Sequence, residues 1–209
     1  MLPPTIPIFP LPNVVLFPNV FLPLHIFEPR YREMVHDALN GDRIIGMVLL
    51  KAGWESDYEG RPPIYDIGCA GLISHSERLQ DGRFNIVLHG LEKFRMRGER
   101  GDRPYRIATI ETLPEDLPAP ARVLGPVRQR LEALVGHLAE RTHCDVRIPA
   151  AISDHELVNT LAQYLPLDPV EKQALLERDG ILDRAGSLIE LLEMRAILHK
   201  ACHTTNFCQ

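Results

Sequence analysis

The first half of the chain alternates apolar and polar positions with the short period of β-strands. TIPIF (5–9) and VFLPLHIF (20–27) are rich in β-branched and aromatic residues, and their prolines suit strand starts, edges or bulges. IIGMVLL (44–50) is typical of a buried strand. DIGCAGLISH (66–75) predicts a further strand, with glycines that favour a bulge or a close backbone approach.

A hairpin and one early helix complete this part of the chain. Asp81-Gly82 is a strong hairpin signal, and FNIVLHG, EKFRMRG and YRIATIETL after it predict strands. Pro29 suits the first turn of a helix, and apolar residues recur at helical spacing until Asn40-Gly41. Several short strands with one helix predict a mixed β-barrel over residues 1–117.

The period changes to that of helices after the proline-rich segment PEDLPAPA. An apolar stripe runs from about 122 to 141, with Gly125-Pro126 as its start or as a kink. Residues 153–156 and 168–171 each have the capping-box pattern that opens a helix, and a long helix follows Gly180. The sequence therefore predicts an α+β fold, in which a helical bundle over residues 118–209 follows the barrel.

Composition and charge narrow the classes of function. The formal net charge of -5 provides no general attraction for nucleic acid or anionic lipid. Four cysteines without a CxxC pair predict reduced thiols in the cytoplasm. The apolar opening, residues 7–35, has a proline every few positions and no basic residue before Arg30, so it predicts neither a signal peptide nor a membrane helix.

Motifs of catalysis are not found in the sequence. None of the lysines lies in a phosphate-binding loop, and none of the serines lies in a Gly-x-Ser-x-Gly turn. We therefore expect no catalytic residues and no cofactor. A small hydrolase whose site is assembled across the fold remains an alternative.

The tail contains the strongest candidate for a metal site. His199, Cys202 and His203 would share one face of a helix, with Cys208 as a possible fourth zinc ligand. The alternative is a helix end whose imidazoles favour the helix dipole, followed by a loose tail. No second ligand pair reinforces the zinc hypothesis, so we expect no metal.

A basic stretch suggests a second alternative, RNA binding. Alternate strand positions would place its arginines on one face, although Glu99 and Asp102 dilute the charge, so nucleic acid is not the expected partner. The arginines are Arg95, Arg97, Arg100, Arg103 and Arg106.

Apolar residues in two loops form the predicted peptide-binding site. Prolines at 12 and 18 bound the first loop and would hold its apolar groups outward at low ordering cost. The alternative is that these residues plug one end of the barrel and that the aromatic residues of the second loop cover the core. The predicted contact residues are Val14, Val15, Leu16, Phe17, Trp54 and Tyr58.

Two segments carry a resemblance to a known family. PIFPLPNVVLFPNVFLPLHIFEPRYREMV (7–35) resembles the opening of the amino-terminal, substrate-binding domain of Lon proteases. DIGCAGLISHSERLQDGRFNIVLHGLEKFRM (66–96) is similar to its second characteristic block. YLPLDPVEKQALLE and the final helix are similar to its helical end, so the resemblance spans nearly the whole chain.

The resemblance implies a PUA-like β-barrel followed by a helical bundle. It also implies recognition of unfolded or tagged polypeptide, as in the parent protease and in free-standing bacterial proteins of this length. The chain ends at Gln209 without the ATPase and protease modules, and the family has no catalytic residues in this domain. We therefore expect a non-catalytic module that binds protein or peptide.

Overall fold

The computed structural model describes residues 2–57, 60–101, 103–115, 121–142 and 152–205. The chain divides into two compact units, one formed by Met1–Glu115 with Ala162–Glu177 and the other by Asp116–Leu161 with Arg178–Gln209. Residues 162–177, from the helical part of the sequence, thus belong to the same unit as the strands.

Six strands and five α-helices are formed by the described residues. The strands are β1 (Thr5–Leu11), β2 (Phe21–Ile26), β3 (Ile44–Leu49), β4 (Ile67–Arg78), β5 (Phe84–Arg100) and β6 (Arg106–Leu113). The helices are α1 (Pro29–Leu39), α2 (Ala121–Thr142), α3 (Asp154–Tyr164), α4 (Pro169–Leu176) and α5 (Ile181–Thr205), with a short 3-10 helix at Trp54–Asp57. The predicted α+β fold class, a mixed barrel with a helical carboxyl-terminal part, is confirmed.

The sheet of the first unit closes on itself and carries one strand outside the ring. Its order is β2-β5-β4-β3-β1-β6, and β6 pairs again with β5. β1 and β3 are parallel, whereas the other pairs are antiparallel. The first two segments predicted as strands after the hairpin, FNIVLHG and EKFRMRG, form one long strand, β5. Its first half pairs with β2 and its second half pairs with β6. β2 is therefore an appendage of the closed ring.

The interior of the ring is filled around Phe94, which is fully buried with Ile6, Ile8, Ala70 and other apolar residues. Gly68 lies against this cluster, since a Cβ there would be 2.8 Å from Cζ of Phe94. The pairing of β4 with β5 shifts register just after Gly68, between Cys69 and Gly71. The glycines of β4 therefore mark a close approach and a bulge, as predicted.

Helix α1 follows the sequence pattern closely. Pro29 occupies its first turn, and its buried residues are Tyr31, Met34, Val35 and Ala38. Leu39 is the last residue of the helix and Asn40 is its C-cap, close to the end predicted at Asn40-Gly41.

The second unit is built mainly from α2, α5 and the start of α3. Ser153 and Glu156 form the predicted capping box: the amide of Glu156 donates to Oγ of Ser153 (3.2 Å), and the amide of Ser153 donates to Oε2 of Glu156 (3.0 Å). Arg184 is fully buried and donates to Oδ1 of Asn159 at 2.6 Å. Among the described residues, no helix combines the length and apolar character needed to cross a membrane.

Candidate functional site

The apolar loop predicted to face a partner is buried. Val15 is 3% exposed, and Leu16 and Phe17 are 0% exposed, whereas Val14 is half-buried. The outward orientation expected for Val15, Leu16 and Phe17 is therefore wrong. Their burial leaves no side-chain surface on which a partner could bind.

Two contacts hold this loop in place. The amide of Phe17 donates to Oε1 of Gln163, 146 residues later in the chain, at 3.2 Å. The loop also lies directly on β5 at Gly90, where a Cβ would overlap the carbonyl oxygen of Phe17. Two backbone hydrogen bonds continue the contact, from the amide of Asn19 to the carbonyl of Gly90 (2.8 Å) and from the amide of Gly90 to the carbonyl of Val20 (2.9 Å). The loop between Pro12 and Pro18 therefore packs against the sheet and does not face a partner.

The second predicted loop contributes one described residue. Trp54 is half-buried and packs against the apolar cluster inside the ring, as the alternative of a cover over the core predicted. Tyr58 lies outside the described residues. A role of Trp54 in binding remains a prediction, and only the exposed part of its indole ring could contact a partner.

The predicted metal ligands lie where the structure describes no side chains. His199, Cys202 and His203 fall within the backbone of α5, and Cys208 lies outside the described residues. In the part of the chain whose side chains are described, no group of three His, Cys, Asp or Glu residues could hold a metal ion. The zinc hypothesis for the tail therefore remains untested.

The basic stretch is largely engaged with carboxylates. Arg97 pairs with Glu111, Arg103 with Asp37 and Arg106 with Glu99. Ion pairing of three of the five arginines reduces the charge that they could offer to the backbone of an RNA. Arg95 and Arg100 are exposed on β5.

The most exposed apolar side chains of the first unit include two on and beside β2. Phe21 is 54% exposed and Phe27 is 61% exposed, and Pro23 and His25 between them are also exposed. Phe21, Pro23 and His25 alternate with Leu22, Leu24 and Ile26, of which Leu22 and Ile26 are buried. We call the exposed face formed by Phe21, Pro23, His25 and Phe27 the β2 surface.

The free edge of β2 also lies at this surface. Gly90 bonds to the carbonyl of Val20, so by alternation the backbone groups of Leu22 and Leu24 face β5, while those of Phe21 and Pro23 face the other way. The hydroxyl of Tyr164 donates to the carbonyl of Phe21 at 2.5 Å, consistent with that assignment. Pro23 has no amide hydrogen to offer at this edge, and it therefore opposes the addition of another strand.

Aromatic and polar contacts fix the side chains of the β2 surface. The rings of Phe21 and His89 stack with centroids 4.7 Å apart, and those of His25 and Phe27 are 6.4 Å apart. His25 also contacts Asn85 (2.8 Å) and Arg83 (3.2 Å) through its two ring nitrogens. Tyr164, 59% exposed, extends the aromatic area beside Phe21. The result is a preformed apolar surface with a polar border.

Sequence reasoning missed this surface, although the alternation that builds it is visible in VFLPLHIF. Both faces of the segment are apolar, so the pattern predicts a strand without indicating which face meets solvent. Pro23 was the available signal, because proline inside a strand favours an edge position.

A hydrogen-bonded group connects α1 with the segment before β6. The hydroxyl of Tyr105 donates to Oδ2 of Asp37 at 2.8 Å, and Arg103 pairs with the same oxygen at 3.2 Å. The hydrogen bond from Tyr105 is the main cause that lowers the pKa of Asp37 below its usual value. Burial, with the neighbouring Asp37, raises the pKa of Tyr105 to about 12.

This group predicts an acid-dependent loss of stability. Because the pKa of Asp37 is lower in the folded chain than in the unfolded chain, its stabilising effect is present above the unfolded pKa and is lost as the pH falls through the folded pKa. We expect the difference in unfolding free energy between wild type and Asp37→Asn to be largest near neutral pH and to shrink in acid. Urea unfolding at a series of pH values measures it. In a Tyr105→Phe background, the difference in unfolding free energy between chains with and without Asp37→Asn should vary less with pH. A difference that is independent of pH in both backgrounds would contradict a lowered pKa of Asp37 in the folded chain.

Comparison with known proteins decides the family. The family model for the ATP-dependent protease La (LON) substrate-binding domain matches residues 5–194. The chain belongs to the Lon substrate-binding domain family. The matched region includes the β2 surface, all six strands and nearly all of the described helices.

The relatives that this Lon substrate-binding domain matches are named Lon proteases. The chain is 28% identical over 193 residues to a Lon protease of Flavobacterium johnsoniae and 27% identical over 217 residues to one of Cytophaga hutchinsonii. These alignments cover 88% and 97% of this chain but only 23% and 26% of the two proteases. The chain thus spans about a quarter of the length of these relatives.

Solved structures show the same fold. A Lon N-terminal domain protein from Xanthomonas campestris superposes with a TM-score of 0.61 at 23% identity, covering 89% of this chain and 97% of that one. The N-terminal domain of a Mycobacterium avium complex Lon protease gives a TM-score of 0.65 at 15% identity, covering 90% and 98%.

Proposed function

We propose that this chain binds apolar segments of unfolded polypeptide through the β2 surface, without chemical conversion of what it binds. The single observation that carries the proposal is the exposure of Phe21 and Phe27 on a strand whose alternate residues Leu22 and Ile26 are buried. The family supports the class of ligand, since its model describes a substrate-binding domain of a protease.

The physical basis is the cost of leaving two phenylalanine rings in water. Burying an aromatic side chain is worth roughly 1.5–3 kcal/mol, so two rings provide an appreciable affinity for an apolar segment. The rings are held by stacking on His89 and His25 before a ligand arrives, which reduces the entropy lost on binding. The surface also lacks a matching apolar cover among the described residues of its own unit, where both rings remain more than half exposed.

The expected mode of binding is by side chains and not by strand addition. Pro23 removes one donor from the free edge of β2, and Tyr164 occupies the carbonyl of Phe21. A polypeptide would therefore find few backbone partners here, and its apolar side chains would supply most of the affinity. Such recognition tolerates many sequences, as binding of unfolded protein requires.

The proposal is tested with a Phe21→Ser/Phe27→Ser double variant. We expect it to bind a fluorescently labelled, reduced and alkylated model protein at least about tenfold more weakly than wild type, because each ring removed costs over roughly 1 kcal/mol. Fluorescence anisotropy measures the affinity. Thermal unfolding should be nearly unchanged, because both side chains are exposed.

Val170→Ser is the matched control. Val170 is 62% exposed on α4 in the same unit, and it is not part of the β2 surface. The control should bind like wild type. Equal binding by the double variant, or equal loss in the control, would sink the proposed site.

A further inference from the structure

A row of hydrogen bonds crosses three strands beside Phe27. His25 of β2 is paired with Asn85 of β5, and Asn85 is paired in turn with Glu77 of β4. Nδ2 of Asn85 donates to Oε2 of Glu77 at 3.0 Å. Oδ1 of Asn85 contacts Nδ1 of His25 at 2.8 Å, and Nη1 of Arg83 contacts Nε2 of His25 at 3.2 Å. We call His25, Glu77, Arg83 and Asn85 the His25 row.

The His25 row admits one protonation state of the imidazole. An ionised carboxylate only accepts hydrogen bonds, so Glu77 fixes the amide of Asn85 with its nitrogen toward β4 and its oxygen toward His25. Nδ1 of His25 must then carry a proton and donate to that oxygen. A guanidinium only donates, so Nε2 must carry a lone pair that accepts from Arg83. The row therefore holds His25 neutral, in the tautomer that is protonated at Nδ1.

Charged groups from three parts of the first unit surround His25. Arg83, which contacts the imidazole directly, also pairs with Asp81 of the hairpin at 2.6 Å. Arg32 of α1 lies over the same hairpin turn. The charged groups that the described residues place here are thus two carboxylates and two guanidinium groups, of Glu77, Asp81, Arg32 and Arg83. Their charges are equal and opposite, so protonation of His25 leaves the cluster with one positive charge.

His25 is also part of the β2 surface itself. Its ring centroid lies 6.4 Å from that of Phe27, the two rings are within 25° of parallel, and both side chains are exposed. A ligand that covers Phe27 therefore removes water from the imidazole as well. The charge of that imidazole then enters directly into the free energy of binding.

We propose that protonation of His25 weakens the binding of apolar polypeptide to the β2 surface, so that the surface releases its ligand in mild acid. This inference rests on the proposed function. A proton on Nε2 removes the acceptor that Arg83 uses and places two cations side by side, so their contact is lost. An imidazolium is also hydrated more strongly than an imidazole, and covering it with an apolar side chain costs more. Histidine typically changes its charge between pH 5 and 8, which sets the range of the effect.

The first measurement reads the protonation state of His25 without any ligand. A long-range proton–nitrogen NMR spectrum of the full chain, labelled with nitrogen-15, distinguishes the two ring nitrogens, and loss of signals in His25→Gln assigns them. We expect a proton on Nδ1 and a lone pair on Nε2 at pH 7.5, and protons on both at pH 5.5. A proton on Nε2 at pH 7.5 would overturn the inference and leave the proposed function standing.

The second measurement is the affinity for a peptide without ionisable groups. The probe is a capped peptide of leucine, phenylalanine, serine and glycine with a pH-insensitive dye, so that only the protein changes its charge. We expect the full wild-type chain to bind it about three- to fivefold more weakly at pH 5.5 than at pH 7.5, the effect of one exposed charge. Fluorescence anisotropy at constant ionic strength measures it, and the dispersion of the NMR spectrum at pH 5.5 verifies that the chain is folded.

His25→Gln tests the residue, and His75→Gln is the matched control. Glutamine can donate to Asn85 and accept from Arg83 but cannot gain a proton, so the ratio of affinities at the two pH values should approach one. His75 is exposed on β4 opposite Val87, outside the row, so its variant should keep the wild-type ratio.

The outcomes separate this inference from the proposed function. Binding that is equal at both pH values would overturn the inference alone. A pH dependence that persists in His25→Gln would do the same and would assign the effect to His89, which stacks on Phe21. Loss of the pH dependence in His75→Gln would also contradict the role of His25. Absence of peptide binding at both pH values would reject the β2 surface as the binding site, and the inference with it.

Discussion

Phe17→Ala is expected to lower the free energy of unfolding by about 3–5 kcal/mol, the range for removing a fully buried phenylalanine. Phe17 is 0% exposed, and its backbone is fixed to Gln163 and Gly90, so the surroundings cannot easily collapse into the cavity left by the ring. Urea unfolding followed by tryptophan fluorescence measures the effect, since the single tryptophan, Trp54, lies in the same unit.

Phe21→Ala is the matched control for this prediction. It removes the same ring four positions later, from a side chain that is 54% exposed, and should change the unfolding free energy by no more than about 0.5 kcal/mol. A Phe17 variant as stable as the Phe21 variant would contradict the burial of the loop. Phe17→Asp should cost more than Phe17→Ala, because it would also bury an unpaired carboxylate.

The two phenylalanines also separate stability from binding. If the buried loop has only a structural role, variants at Phe17 weaken binding of polypeptide in proportion to the fraction unfolded, whereas variants at Phe21 weaken it in a fully folded chain. The sequence predicts a binding role for the loop, because prolines at 12 and 18 limit its backbone freedom. That rigidity is equally suited to packing the loop onto a sheet.

Elements with a strong local signal could be predicted from the sequence. The Asp81-Gly82 hairpin, the proline start of α1 and the Ser153 capping box depend on residues within a few positions of one another. The sequence could not predict that β5 is one long strand, because its change of partner from β2 to β6 is a property of the closed sheet. Periodicity predicts a mixed β-barrel, and the resemblance to a known family adds that the barrel is PUA-like.

Burial of individual residues depends on contacts that no local pattern contains. Gln163 caps the amide of Phe17 from 146 residues away, and nothing near residue 17 indicates that partner. The β2 surface has the same origin: VFLPLHIF is apolar on both faces, and only the pairing of β2 with β5 decides which face is covered. The sequence could thus predict that apolar surface lies in residues 7–35 but not which side chains form it.

Gly90→Ala is expected to destabilise the first unit by about 3 kcal/mol or more. A Cβ at this position would overlap the carbonyl oxygen of Phe17, and neither backbone can move without breaking the hydrogen bonds from Asn19 and to Val20. The backbone fixes the position of the Cβ, and the atom that it meets is a main-chain oxygen. No change of side-chain rotamer therefore relieves the clash. We expect a lower urea midpoint and new exposure of the apolar loop, detected as binding of a hydrophobic dye before global unfolding.

Gly98→Ala, in the same strand, provides the control. No heavy atom lies within 4 Å of a Cβ built at Gly98, which is in the bulged part of β5. The substitution should therefore be neutral or slightly stabilising, because alanine reduces the conformational freedom of the unfolded chain. If both variants lose the same stability, the cost reflects strand geometry in β5 and not contact with the loop. A large loss confined to Gly90→Ala would instead show that the docking of residues 14–18 on β5 stabilises the sheet that presents Phe21 and Phe27.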